Sequence, residues 1–599
     1  MYLRIISYCM MVSLLLLGSC SSKQHADEKK GNTYYVSKSG SDENVGSSEK
    51  PFLTINKAAQ VAMPGDVVLV REGVYREWVK PARGGSSEDK RITYQAETGA
   101  DVRLLGSERT TNWRALEKGL WKAEFEGGLF HKNNAFRMLS RHPEEVGVDE
   151  SGDGWGWLKY GRWTHRGDII IDGKGLTEKQ TLDEVKQMAY TWYVEPHETK
   201  TILYTNFGGE DPNEAQTELS LRPYAFYPVQ PGLNYITIKG FTIMNVASHW
   251  APPTVDQPGA VGSNGGHHWL IENNIIAYSK ALGISIGLPT GEADSTDRGH
   301  HIIRNNVIMR CGQGAVAGQL WNQKTQVHNN FIEDINYRME FGGWETAGIK
   351  FHNADSITIR NNFVRNVYTV DAEIGAAHGI WNDFKNSNWD VSQNVILNTG
   401  SFGILTEANF TGPNMVANNI IATNAVGAFS TRGDAWVNNL FVGSKLKWEN
   451  QPWGNRVQIG NARWLQNIFM GGGLDNAIVE DSSIYRSNVF IDGAGNNTAD
   501  AGMVVLDVAS NAVISEADHQ IILSFDLPEA FFNNTFPVVD HEAIALPFSF
   551  DASVTTDFFG NIRTDKNLAG PFINLSAGSN NIVVYNFPEL YKKAQKLVR

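Results

Sequence analysis

An all-β chain wound as a parallel β-helix, interrupted by one inserted β-rich module, is what this sequence predicts. The first observation is a recurring Asn followed by an apolar residue. It runs through Asn273-Asn274-Ile275, Asn305-Asn306-Val307, Asn329-Asn330-Phe331 and Asn361-Asn362-Phe363, then Asn394, Asn419, Asn439, Asn467 and Asn488. Successive steps are about 20 to 32 residues, the spacing of stacked coils whose longer members carry loops. The second is that short alternating runs, such as HHIIRNNVIM and SITIRNNFVRNV, surround each Asn with no helical period. The third is length: 599 residues exceed one ordinary core. Asn suits the bends because it tolerates left-handed backbone, and stacked Asn side chains can form a hydrogen-bond ladder inside the coil. The Leu pattern of leucine-rich repeats is missing.

The elements follow in order. Residues 1–19 read as a lipoprotein signal peptide: Arg4, an apolar run from Val12 to Leu17, then Leu17-Gly18-Ser19-Cys20. The run is shorter than the ~20 residues that span a bilayer. Cys20 would carry lipid and residues 20–32 would form a polar tether. The expected location is therefore the periplasm or cell surface, on a membrane that is expected to be the outer one. Residues 33–107 hold an N-terminal cap and the first coils, with a helix over Ile55 to Ala62 covering the open end and a strand over Val67 to Val70. Residues 108–232 break the Asn rhythm and are rich in Trp, Tyr and charge, as an inserted module would be. Residues 233–497 form the main β-helix, and residues 498–599 read as β-structure closing the other end.

Composition narrows function. A net charge of -13 disfavours nucleic acid and, less strongly, polyanionic sugars. The 17 Trp suit stacking on sugar faces, and the 58 Gly suit many tight turns. Of the three cysteines, Cys9 leaves with the signal and Cys20 is lipidated, so Cys311 has no disulfide partner. No Cys/His spacing suggests a metal site. An oligosaccharide is the expected partner, and a homo-oligomer is compatible with the sequence.

Aligning the central strands on their opening Gly gives Gly283 to Gly287, Gly314 to Gly318, Gly348 to His352, Gly379 to Asp383, Gly403 to Glu407 and Gly427 to Thr431. Side chains alternate, so Ile284, Ile349, Ile380 and Ile404 should point inward together. One outward column then reads Gly287, Gly318, His352, Asp383, Glu407, Thr431, and the other Ser285, Val316, Lys350, Trp381, Leu405, Phe429. Stacked strands lie ~4.8 Å apart, which makes Asp383 and Glu407 neighbours. Retaining glycosidases use carboxyl groups about 5–5.5 Å apart, one as nucleophile and one as acid/base; inverting enzymes leave room for a water. The columns alone fit a solvated acid pair equally well. Trp381 and Lys350 beside it favour a sugar site.

Longer stretches carry a resemblance: DPNEAQTELSLRPYAFYPV, WAPPTVDQPG, ETAGIKFH, GIWNDF and NNIIATNAVGAFSTRGDAWVNNL. Across most of residues 33–107 and 190–470 the chain resembles glycoside hydrolase family 120, the β-helical β-xylosidases. The resemblance implies a right-handed β-helix interrupted by a β-sandwich, Asp383 as nucleophile and Glu407 as acid/base, with no cofactor. It also implies that Glu345 binds sugar hydroxyls. Lys350 and His352, as column neighbours, join Trp381, Trp344, Trp250 and Asp256 as candidate substrate-binding residues. Three departures surround the expected pocket: a longer YTVDAEIGAAH segment before Gly379, a shorter loop from Leu288 to Gly299, and Trp344 where the family has His. The expected reaction is double displacement, with exo release of one pentose, chiefly xylose. Rival readings are the same chemistry on another sugar such as arabinose, a β-helix polysaccharide lyase using Lys350 or His352, and a non-catalytic glycan binder. Gly266-His267-His268 and Gly299-His300-His301 resemble the Gly-His-Gly of galacturonan hydrolases only superficially and read as a repeat feature at strand starts.

Overall fold

The computed structural model describes residues 31–598 apart from 118, 127–133, 141–163, 252–256, 288–297, 342–344, 371–375, 410–411, 451–458, 475–481, 497–498 and 552–553. The expected signal peptide, the expected lipidation site Cys20 and most of the expected tether lie outside the described residues, as do Asp256 and Trp344. Three all-parallel sheets of 13, 13 and 8 strands run along the molecule, one strand of each per central coil. The coil of Ile302–Arg304, Val307–Met309 and Gly314–Gly318 is typical.

Each Asn pair divides its work. The first member turns the chain with left-handed backbone, at φ 56 for Asn273, 55 for Asn305, 58 for Asn329 and 53 for Asn361. Where the first Asn is absent, Gln393, Gln466 and Ser487 take the same conformation. The second member is buried and builds the ladder. Backbone N–H and Nδ2 of Asn274 both donate to Asn306 Oδ1, and the pattern repeats at 2.9–3.1 Å through Asn330, Asn362, Asn394, Asn419, Asn439, Asn467 and Asn488. A second Nδ2 hydrogen reaches a carbonyl of the same or the preceding coil, such as Val327 O from Asn362. The buried amides are thereby satisfied without water.

All ladder donors point one way, so its last member needs an acceptor. Asp500 Oδ2 provides it, receiving Asn488 Nδ2 at 2.6 Å and its N–H at 3.3 Å. Burial pushes the Asp500 carboxyl up to about 6, only partly offset by those hydrogen bonds. Its folded value thus lies above the ~3.9 of an unfolded Asp. The native state holds the extra proton, so this contribution is complete below about pH 4 and is lost as pH rises through 6. Relative to Asp500→Asn, the wild type should therefore lose melting temperature between pH 4 and pH 7. A difference between the two that is independent of pH would refute this account.

The N-terminal helix spans Ile55–Val61 and the strand after it Val67–Val70, close to expectation. Thr54 caps the helix, and the Glu77 carboxylate accepts the first N–H groups, Ile55 at 3.0 Å and Asn56 at 2.8 Å. Ile55, Ala58 and Ala59 are buried in the main core with Val36 and Val68. The inserted module comprises a five-stranded and a four-stranded sheet between Ser107 and Ser220. Trp113, Phe136, Trp192 and Phe207 fill its core. The chain rejoins the helix at Phe226, which bridges Val79 and Val261, earlier than the expected boundary at 232. Buried ions dock the module: Asp168 meets Lys280 at 3.1 Å and Arg338 at 2.8 Å, and Glu340 meets Lys280 at 2.8 Å.

Two expectations for the C-terminal end are corrected. The coils run past 497, because Val504–Leu506 still pairs with Val489–Ile491. The remaining chain lies along two outer faces of the helix instead of closing its end. Tyr591 of the last helix packs on Phe331 at 4.1 Å and Tyr585 on Phe363 at 4.6 Å, while Val539, Ile544 and Leu546 cover Met415, Ala435 and Leu465. Those strands carry apolar residues outward as well as inward, and such a surface needs a cover. The covered strands belong to the two 13-stranded sheets; the eight-stranded sheet carries the site.

Candidate active site

Ile284, Val316, Ile349, Ile380 and Ile404 pair in one inward column, each at most 1% exposed. Their neighbours must therefore face outward, and Lys350, Trp381 and Leu405 stand in one register row. Two residues on, His352 pairs with Asp383. The next strand matches Asn382 to Thr406, so Asp383 and Glu407 end adjacent strands side by side. Phe384 N–H donates to Glu407 O at 2.9 Å and locks that register.

Away from these three coils the Gly alignment slips. Gly314 pairs with Ala347 and not Gly348, which moves Val316 inward. Gly427 pairs with Leu405 across a register shift, so Phe429, not Thr431, stands beside Glu407. Gly427 is needed there, since a Cβ would lie 2.6 Å from Leu405 Cδ1.

Lys350 ties the site together. Its ammonium lies 2.6 Å from Glu345 Oε2 and 3.1 Å from Asp383 Oδ2, and 3.8 Å from the centre of the Trp381 ring. Burial opposes its charge, but Glu345 and Asp383 outweigh burial and hold the lysine above its ordinary value. Trp381 donates its indole N–H to Glu407 Oε2 at 3.0 Å. Glu407 is 2% exposed. Burial, then the charge on Asp383, pushes its carboxyl up to about 8 against the pull of Lys350 and the indole. Burial also raises Glu345, which Lys350 partly offsets.

Glu345 sits at φ 90, a costly backbone for a side-chain-bearing residue. Gln257 holds it, donating to Glu345 Oε2 at 3.2 Å and to Ala251 O at 2.7 Å, while Gln313 brackets Ala251 through both its N–H and its C=O. Sequence reasoning missed both glutamines, because an amide that braces a loop carries no chemical signature. It also missed His378, whose ring meets Trp381 edge-on at 4.6 Å and accepts Phe402 N–H at 3.3 Å. Burial drives His378 down to about 3, so it is neutral. His352 stacks on Phe384 at 5.2 Å and is likewise lowered by burial. Trp250 is 1% exposed, in a cluster with Ala281 and Phe341 at the foot of the Glu345 loop.

Two juxtaposed carboxyls, one protonated near neutrality and one beside an ammonium, can divide acid and nucleophile roles between them. A family model described as a right-handed β-helix region matches residues 232–446. The solved structure of XylC in complex with xylose is 28% identical, with a TM-score of 0.79 over 92% of this chain and 100% of that one. The resemblance to glycoside hydrolase family 120 is borne out. The fold is a right-handed parallel β-helix. Pectate lyase Pel9A gives 14% identity and a TM-score of 0.37, over 73% of this chain and 79% of that one. The uncharacterized protein YwoF of Bacillus subtilis (strain 168) is 33% identical over 96 residues, which span 16% of this chain and only 20% of that relative.

Proposed function

We propose that the chain is a glycoside hydrolase of the parallel β-helix fold and, more finely, a retaining, exo-acting β-xylosidase. The observation that carries this reading is the Asp383/Glu407 pair on adjacent strands, with Glu407 buried and its proton held up to about pH 8. Asp383 attacks the anomeric carbon while Glu407 protonates the departing oxygen; Glu407 then takes a proton from the water that hydrolyses the glycosyl-enzyme. Lys350 balances the charge on Asp383, and Glu345, braced by Gln257, turns its carboxyl toward Lys350 and offers Oε1 to sugar hydroxyls. Likeness to a structure that holds xylose supports the pentose. Export as a lipoprotein anchored through Cys20 belongs to the same proposal, since xylo-oligosaccharides are met outside the cytoplasm.

A lyase needs a neutral base. Lys350, held above its ordinary value by two carboxylates, is poorly suited to that role, whereas His352, lowered by burial, has the neutral form, so an ultraviolet-absorbing product is what separates the two readings. A nitrophenyl glycoside panel tests the sugar: β-xyloside should be turned over fastest, ahead of α-arabinofuranoside and β-glucoside. Xylo-oligosaccharides should lose one xylose at a time from the non-reducing end, appearing first as the β-anomer. Mainly long products, an unsaturated product absorbing in the ultraviolet, or a first-formed α-anomer would each overturn a named part of the reading. Because glycosylation needs protonated Glu407, kcat/KM should fall as pH rises through about 8.

A further inference from the structure

Trp381 presents no free face. It is 2% exposed, with Lys350 over its ring, His378 against its edge, and Ala347, Phe402 and Leu405 packed around it. Its one polar atom is spent on Glu407 Oε2. An indole N–H can donate and never accept. The oxygen that receives it is the carbonyl-like one, so the acidic proton belongs on Oε1.

We propose that Trp381 is a positioning residue for the acid/base: its N–H holds Glu407 Oε2, reserves Oε1 for the transferred proton, and favours the ionised carboxylate needed for the second half-reaction. This rests on the reading of Glu407 as acid/base. Lys350 adds a relay. Its ammonium over the indole face polarises the N–H, and the same ammonium is shared between Glu345 and Asp383. When Asp383 becomes esterified its charge disappears. Lys350 is then less neutralised, which strengthens the donation to Glu407 at the step where Glu407 must act as base.

The groups that set the ionisation of Glu407 are Asp383 on the adjoining strand, Lys350 and Glu345 beyond it, and Trp381. His378 is neutral and His352 faces Asp383, while on the opposite side the register supplies Phe429. Among these, Trp381 is an uncharged donor to the carboxylate, so its removal is legible in a pH profile.

The test compares Trp381→Phe, which removes the N–H, with Trp381→His, which keeps a ring N–H. In Trp381→Phe the basic limb of kcat/KM should move up by about one pH unit, the scale of one hydrogen bond to a charged group. Hydrolysis of the glycosyl-enzyme should slow about tenfold at pH values below the point where Glu407 ionises in that intermediate, since there one unit is a factor of ten in ionised fraction. Dinitrophenyl β-xyloside, which needs no acid for its first step, should then show a burst, and azide should speed turnover. Trp381→His should bring the limb back toward wild type. An unmoved limb with a raised KM in Trp381→Phe would make Trp381 a sugar contact and overturn the proposal. A limb equally displaced in both variants would make it packing and also overturn it. If Trp381→Phe does not fold, the His variant alone decides, a limb displaced by a full unit counting against. Glu407→Ala on the same substrates separates the two claims: no leaving-group dependence there sinks the acid/base reading itself, whatever Trp381 does.

Discussion

Replacing Asp383 by Ala should remove turnover of nitrophenyl and natural β-xylosides alike, by roughly 10⁴-fold or more. Good leaving groups bring no relief, because the missing bond is the one to the anomeric carbon. Among the described residues no neighbour can substitute. Glu345 is tied to Lys350 and Gln257, and Glu407 is committed to the leaving oxygen. The variant should still fold, since Lys350 keeps Glu345 as a partner and the ladder is untouched; a melting curve checks this. A second signature follows from electrostatics. Asp383 is the largest nearby charge raising Glu407, so its removal should lower the acid's pKa and move the basic limb of any residual activity downward. Azide should fit the space left by the carboxylate and attack from that side, giving an inverted glycosyl azide. Undiminished turnover would place the nucleophile elsewhere.

The sequence made the coils legible for a physical reason. A buried Asn must find partners, and the ladder supplies them only if every coil repeats it, so Asn274 to Asn488 recur with an apolar residue following. Asp383 and Glu407 were legible because strands alternate and both sit at one offset from an inward Ile, Ile380 and Ile404. The outer register was not. A strand can slip where a small residue makes room, as Gly427 does for Leu405, and nothing in composition announces it. Gln257 and Gln313 act through neighbours brought close only by folding, from positions far apart in the chain, and His378 meets Phe402 in the same way from the adjacent coil. The C-terminal wrap was hidden likewise: Phe331, Phe363 and Met415 look like ordinary strand residues until their outward direction is known.

Replacing Glu407 by Ala should divide substrates instead of silencing them all. General acid help is worth about 10²–10⁴-fold, so xylo-oligosaccharides, whose leaving oxygen needs a proton, should lose that much relative to nitrophenyl β-xyloside. Dinitrophenyl β-xyloside should still form the intermediate. It should then stall, because Glu407 also activates the incoming water. Azide needs no base, so it should restore turnover and yield a β-glycosyl azide of retained configuration, Asp383 having done its part. The pH profile provides the cross-check. The fall in kcat/KM through about pH 8 belongs to the Glu407 proton and should vanish for nitrophenyl substrates in this variant. Equal loss on good and poor leaving groups would deny Glu407 the acid role. A retained β-glycosyl azide from Asp383→Ala together with an inverted one from Glu407→Ala would reverse the two assignments. An unimpaired double variant would mean that the Lys350-centred cluster is not where the glycosidic bond is cut.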